Sequence, residues 1–325
     1  MVVFWYMKKY FSGLLRFLKR PILVVVHDGS FHADDVTAVA ILSLYFKQQG
    51  KRTKVIRTRD QSIIAKADIV CDVGGIYDAD KNRFDHHQTG GAGNRENGVP
   101  YASVGLVWKK FGKELCAPYE SLAEKIDREC IQFIDANDNG YDFGQKTEVS
   151  PLPLPAFFMI YNTTWKERPD FCRKKDKKRF LYAVKLAEQF FDRYIQVSKQ
   201  SIEASEKIKE VYDQSVDKEI LVFDTDFTRP VFIAHLLNYP EPLFQIYPDR
   251  SGTWSVETVP MSFGSFEKRI SFPKEWAGLR DEKLQQVSGN SDLIFCHNAL
   301  FLCKAKTKES AILLAQQVRD KQKNA

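Results

Sequence analysis

The feature that most constrains the fold is the uninterrupted aliphatic run Ile22–Val26, which ends at once in the polar turn His27-Asp28-Gly29-Ser30-Phe31-His32-Ala33-Asp34-Asp35. A run of this kind without polar alternation reads as a strand buried on both faces of a parallel sheet. Residues Asp35 to Phe46 follow with a helical pattern, carrying Val36, Val39, Ile41, Leu42 and Leu44. Lys54–Thr58 reads as a second strand, Ser62–Ala67 as a short helix, and Asp68–Val73 as a further buried strand closed by Gly74-Gly75. Strand–helix alternation of this kind predicts an α/β domain with a doubly wound, mainly parallel sheet.

Further on, Gly90–Gly98 is expected to be a loop, with helices at Ser103–Phe111 and Tyr119–Ala136. Pro151, Pro153 and Pro155 break the chain before a long helix from Leu181 to about Val211. After Asp217 the pattern turns to short strands, Ile220–Phe223, Leu243–Tyr247, Thr253–Thr258, Leu293–Cys296 and Leu300–Cys303. Helices are expected near Leu279–Val287 and from Thr307 onward. The expected organisation is therefore a basic N-terminal segment (1–20), a catalytic domain (21–216) and a smaller α+β domain (217–325). The active site is expected in the cleft between the last two. A length of 325 residues suits that division at roughly 150 residues per domain.

Composition excludes some classes. With 44% apolar and 28% charged residues, the chain is neither disordered nor a multi-span membrane protein. The excess of 48 cations over 42 acids permits a polyanionic partner without arguing for one. The first acid is Asp28, and Phe11, Leu14, Leu15 and Leu18 recur at helical spacing among Lys8, Lys9, Arg16, Lys19 and Arg20. This segment has the pattern of an organelle-targeting peptide or an interfacial helix, with a core-docking helix or initiation at Met7 as the plainer readings. Localisation is accordingly expected to be cytoplasmic, or mitochondrial if residues 1–20 are a targeting peptide, and no stable membrane insertion is expected. The cysteines (Cys71, Cys116, Cys130, Cys172, Cys296, Cys303) form no Cys-x-x-Cys pair and read as buried thiols.

Chemistry concentrates where the predicted strands end. Four of the six histidines lie in or beside three acidic clusters: the His27–Asp35 turn, Asp72 before two glycines, and Asp85-His86-His87. In open α/β sheets, ligands bind outside the carboxyl ends of strands, so these segments are expected to converge. Imidazole mixed with carboxylate, and no thiolate, suits Mn²⁺, Fe²⁺, Co²⁺ or Zn²⁺ better than Ca²⁺. With five or six ligands two metals are expected, and two dications about 3.5–4 Å apart suit in-line attack at phosphorus. The plainer alternatives are that Asp34 or Asp35 caps the following helix and that Asp72 is a turn residue.

These residues resemble a known family. Asp85-His86-His87 is the triplet that names the DHH phosphoesterase superfamily. The closer resemblance, from about Val24 to the end, is to the melanocyte proliferating gene one exonuclease family. It is carried by His27-x-Gly-Ser-Phe-His-Ala-Asp-Asp-Val36, Arg57-Thr-Arg-Asp60, Asp72-Val-Gly-Gly-x-Tyr-Asp78 and Arg83-Phe-Asp-His-His-Gln88. Glu96-Asn-Gly-Val-Pro-Tyr-Ala-Ser103, Asp135-Ala-Asn-Asp-Asn-Gly140, Trp276-Ala-Gly-Leu-Arg-Asp-Glu282 and Gln286-Val-Ser-Gly289 continue it.

The resemblance implies metal ligation by His27, Asp34, Asp72 and His86. His32 would stand where much of the superfamily has aspartate, and His87 beside the scissile phosphate, with Asp85 joining it in the catalytic set. A further acidic ligand is expected from Asp138, with Asp135 the alternative. The implied cofactors are two divalent ions, Mn²⁺ first and Mg²⁺ or Co²⁺ as alternatives. The implied reaction is 3′–5′ exonucleolytic hydrolysis of single-stranded RNA or a short oligonucleotide.

Two departures stand out. Asp28 replaces the usual asparagine, and Cys303 and Lys304 replace two family glycines. Arg59, Arg280, His297 and Lys306, with Arg57 and Arg250, are candidates for gripping substrate. For Arg57 and Arg59, pairing with Asp60 is the alternative. The basic tract Arg173–Arg179, with Phe180 and Tyr182 as stacking candidates, reads first as a solvated face. The rival functions are a phosphatase or pyrophosphatase acting on a small molecule, and a non-catalytic RNA-binding protein with a structural metal site.

Overall fold

The computed structural model describes residues 20–141, 152–167 and 173–323. The N-terminal basic segment up to residue 19 and Cys172 lie outside the described residues. The architecture is mixed α/β with two five-stranded sheets, and the chain divides into two compact units, Met1–Lys199 and Gln200–Ala325.

In the first unit, β1 (Ile22–Val26), β2 (Thr53–Arg57), β3 (Ile69–Cys71), β4 (Tyr77–Asp78) and β5 (Arg83–Phe84) form a sheet of order β2-β1-β3-β5-β4. All pairings are parallel except β4 against β5. Strand β1 sits inside the sheet, which explains its unbroken aliphatic sequence: Val24, Val25 and Val26 are all fully buried. Each such valine contributes about 1.5–3 kcal/mol of burial. Helix α1 (Ala33–Gln48) joins β1 to β2, and the short α2 (Gln61–Ile64) joins β2 to β3. Val25, Ile64, Val70 and Val73 form one apolar cluster on the α2 side of the sheet. Helix α3 (Ser103–Cys116) packs on α1.

Helix α4 (Glu120–Ile126) and α5 (Gln132–Asp138) are joined by a π-turn, Asp127–Ile131. The single helix expected over Tyr119–Ala136 is thus underwound in its middle, a feature often found near functional sites. α6 (Leu154–Met159) follows, and α7 (Arg173–Gln214) is a 42-residue helix in which the division between units falls. The expected boundary near residue 216 lies later than the observed one. The physical reason is that Ile208 of α7, with Val211 and Tyr212, packs among Leu221, Phe223 and Phe232 of the second unit.

The second unit contains β6 (Ile220–Val222), α8 (Arg229–Leu236), β7 (Phe244–Pro248), β8 (Trp254–Thr258), α9 (Asp281–Ser288), β9 (Leu293–Cys296), β10 (Leu302–Ala305) and α10 (Lys308–Lys323). Its sheet order is β6-β7-β8-β10-β9, parallel only at β6–β7. The last strand begins two residues later than expected because Leu300 adopts φ +58° in a turn bonded to His297. The five described cysteines are buried and free, with Cys296 and Cys303 paired across β9–β10. No helix among the described residues is long and apolar enough to cross a membrane.

Candidate metal centre

Three neighbouring strands deliver the site. His27 follows β1, Asp72 follows β3, and Asp85-His86-His87 follow β5. The β1–α1 turn adds His32, Asp34 and Asp35, and the last turn of α5 adds Asp138. The convergence expected from strand ends is what the topology produces.

Asp72 is central. His27 Nε2 stands 3.2 Å from its Oδ2, while His86 Nε2 at 3.5 Å and His87 Nδ1 at 3.4 Å face its Oδ1. Asp138 faces His86 Nε2 at 3.3 Å through Oδ2 and His32 Nδ1 at 3.6 Å through Oδ1. Three sets of donor atoms gather closely enough to hold a cation: His27, His32 and Asp72; Asp72, His86 and His87; Asp34, His86 and Asp138. Metal bonds of about 2.0–2.2 Å put neighbouring donors about 3.0–3.5 Å apart, the spacing seen here.

The fit to cations is tested by what these groups lack. Both Asp72 carboxylate oxygens, Asp35 Oδ2 and His86 Nε2 are buried without a well-formed hydrogen bond. A buried carboxylate left so costs several kcal/mol unless a cation compensates it. Asp72 also adopts φ +54°, uncommon outside glycine. That strain of about 1–3 kcal/mol is characteristic of functional positions. Asp72 is therefore more than a turn residue.

Electrostatics point the same way. Burial pushes the Asp34 carboxyl well above its ordinary range, reinforced by the charges of Asp72 and Asp138. Burial likewise raises Asp35 to about 7, against the pull of His27. Burial alone would lower the His27 imidazole, but hydrogen bonding to Asp72 and the charges of Asp35 and Asp72 raise it to about 9. His86, also opposed by burial, is raised to about 11 by Asp138 and Asp72. The Asp72 carboxyl, despite burial, is held below the carboxylate range by His27 and His86. Protons thus partly neutralise the cluster in the metal-free protein, where dications would otherwise do so.

Surrounding groups fix the donors. His27 Nδ1 donates to the Asp28 carbonyl at 2.9 Å, leaving Nε2 toward the carboxylates. Asp34 accepts the Ser103 and Val104 amides at the start of α3, at 3.1 and 2.5 Å. The N-cap of α1 is His32, and Asp35 completes its capping box: it accepts the His32 amide at 2.9 Å through one oxygen and turns Oδ2 to His27 at 3.3 Å. Asp85 accepts the Gly75, His86 and His87 amides and His87 Nδ1, the last at 2.8 Å. It therefore acts on the site through His87.

Asp135 is spent elsewhere. It accepts Arg95 and the Ala102 and Gly105 amides. A Cβ at Gly105 would lie 2.1 Å from its Oδ2, so only glycine fits there. Of the two aspartates, Asp138 is the one that stands with His32 and His86.

Asn162 was not foreseen. Its Oδ1 accepts the Phe31 amide at 2.8 Å and its Nδ2 donates to the Phe31 carbonyl at 2.7 Å, clamping the turn that presents His32. No local pattern marks a partner 131 residues away. Asn162→Ala is expected to destabilise the protein by about 1–3 kcal/mol and to weaken metal affinity about 10–100-fold, read by thermal denaturation and metal titration.

The expected substrate cations are placed as follows. Arg59 faces Asp28 at 3.7 Å, not Asp60, which caps α2 by accepting the Ser62 amide. Arg57 pairs with Asp176 and donates to the Gly29 carbonyl at 2.6 Å. Phe180, considered a stacking surface, is fully buried against Phe31; Tyr182 is exposed. Arg280, His297 and Lys306 belong to the second unit and to none of the three donor sets. There Arg280 lies 4.3 Å over Phe295, His297 Nδ1 accepts the Ala299 amide, and Lys306 reaches the Ser291 carbonyl. Lys304 pairs with Asp249.

The molecule is thus an α/β protein whose parallel sheet ends in an imidazole–carboxylate cluster suited to divalent cations. The comparisons narrow this class. The chain belongs to the MYG1 exonuclease family: the family model MYG1_exonuc, described as "Uncharacterised protein family (UPF0160)", matches residues 23–318. It is 31% identical over 319 residues to the MYG1 protein of Dictyostelium discoideum, covering 90% of this chain and 94% of that one. It is 30% identical over 328 residues to the MYG1 exonuclease of Homo sapiens, covering 92% and 86%. Among solved structures it is similar to RecJ in complex with Mn²⁺ from Thermus thermophilus, at 14% identity and a TM-score of 0.27, covering 94% of this chain and 53% of that one.

Proposed function

We propose that the protein is a divalent-metal-dependent phosphodiesterase, a 3′–5′ exonuclease acting on single-stranded RNA or short oligonucleotides. The observation that carries this reading is the buried Asp72 carboxylate, with no well-formed hydrogen bond on either oxygen and three imidazoles facing it. The family relationship, including a relative named an exonuclease, supports the choice of reaction.

His27, His32, Asp34, Asp72, His86 and Asp138 would hold two divalent ions, Mn²⁺ first; Asp72 belongs to two of the three donor sets. Bound there, such ions supply activation of water and stabilisation of charge developing at phosphorus. The chain's own groups do the rest. Asp34, anchored at the start of α3, and His27, fixed by the Asp28 carbonyl, keep their places without reorganisation. Asp85 holds His87 through Nδ1, leaving Nε2 of a ring that is 59% exposed free to hold a phosphate oxygen or give it a proton.

His87→Ala is expected to lower kcat about 10²–10⁴-fold with metal stoichiometry retained; loss of a metal instead would make His87 a ligand. The reading itself is tested on a short 3′-labelled RNA with Mn²⁺, alongside pyrophosphate and a dinucleotide. Mononucleotides released from the 3′ end, and none after chelation, are expected. Pyrophosphate hydrolysis with intact RNA would favour the small-molecule phosphatase. RNA binding with no turnover under Mn²⁺, Mg²⁺ or Co²⁺ would favour a binding protein.

A further inference from the structure

A cavity of about 340 Å³ opens beside the turn that follows His27. Its lining comes from three places: Asp28 and Gly29 in that turn, Ile56 and Arg57 at the end of β2, and Arg173 and Lys177 in the first turns of α7. We infer that this cavity is a phosphate subsite for the substrate strand, taking a phosphate of a nucleotide next to the bond being cleaved. The inference rests on the phosphodiesterase reading and assigns a place for the strand beyond the metal centre.

The charge balance carries it. Arg57 is fixed and buried, with a side chain only 4% exposed, between the rings of Phe31 at 5.5 Å and Phe180 at 4.6 Å. Its two terminal nitrogens serve Asp176 and the Gly29 carbonyl, and its Nε has no hydrogen-bond partner. Asp176, the other acid lining the cavity, is therefore already neutralised, and Asp28 faces Arg59.

Arg173 and Lys177 are exposed, one helical turn apart, and neither pairs with a carboxylate among the described residues. Two like charges at this spacing repel each other unless an anion sits between them. The start of a long helix adds a favourable field for that anion.

Position decides which anion. The turn that lines the cavity is the one whose Asp28 carbonyl orients His27. A phosphodiester strand with one phosphate at the metals can place a neighbouring phosphate beside the same turn. Basic side chains of this kind track the backbone of single strands without reading sequence.

The test is equilibrium binding of a short fluorescent RNA in chelator, where no turnover occurs, as a function of salt. The double variant Arg173→Ala/Lys177→Ala is expected to bind about tenfold more weakly. The slope of log affinity against log salt should shrink by about 0.7, the contribution of one phosphate on a single strand. Lys125→Ala/Lys207→Ala, which removes two exposed lysines on α4 and α7, serves as the charge-matched control. Wild-type affinity and slope in the double variant, or no RNA binding by the wild type, overturn the subsite. A wild type that binds RNA with the expected slope in chelator but does not hydrolyse it once Mn²⁺, Mg²⁺ or Co²⁺ is supplied overturns the phosphodiesterase reading instead.

Discussion

Asp72→Asn is expected to leave the protein folded and abolish its turnover, lowering kcat/KM by about 10³-fold or more. The size follows from losing several kcal/mol of metal-derived transition-state stabilisation at tenfold per 1.36 kcal/mol. Folding should survive because asparagine tolerates the positive φ that Asp72 adopts and matches its shape. Asp72 appears in two of the three donor sets, so metal stoichiometry should fall by at least one ion. Circular dichroism, metal analysis and turnover on the same preparation read all three. Full metal content with full activity would remove Asp72 from the centre, and loss of folding would make its role structural.

The second large effect is the competition between metals and protons. In the metal-free protein His27 titrates at about 9 and His86 at about 11, so both are protonated at neutral pH. A metal binds only neutral imidazole, so loading must displace these protons. With two protons displaced, apparent affinity should fall up to about 10⁴-fold between pH 8 and pH 6. Calorimetry in two buffers of different ionisation enthalpy should count about two protons released, and none released would contradict the arrangement.

Stability of the chelated protein should move oppositely. The contribution of His27, raised from its ordinary 6.5, is complete below that pH and is lost as pH climbs through about 9. Asp35, raised to about 7, adds a penalty that grows as pH rises from its ordinary 3.8. The midpoint of thermal unfolding in chelator should therefore fall from pH 6.5 toward 9, and Mn²⁺ should restore it.

How much of this was legible in the chain depends on how local each signal is. Ile22–Val26 declares itself because an inner parallel strand must be apolar on both faces, and the acids and histidines beyond it inherit their position from that strand. Asp72 was readable as the acid at the end of β3, ahead of Gly74-Gly75, although its left-handed backbone was not. Strands β4 and β5 are two residues each, too short for any period to show. Helix α8 hides behind Pro230 near its first turn, where proline is tolerated but reads as a breaker.

The supports of the site are the least legible. Asn162 on Phe31 and Asp176 on Arg57 join positions 131 and 119 residues apart, and only the folded chain brings them together. That Asp135 is occupied by Arg95, Ala102 and Gly105, while Asp138 stands with His32 and His86, shows only in the folded chain.

The most direct test of the account is a crystal of the Mn²⁺-loaded protein measured at the manganese absorption edge. The account predicts two anomalous peaks about 3.5–4 Å apart, with Asp72 reaching both and His27, His32, Asp34, His86 and Asp138 completing their shells. A single peak, or peaks away from Asp72, would contradict it.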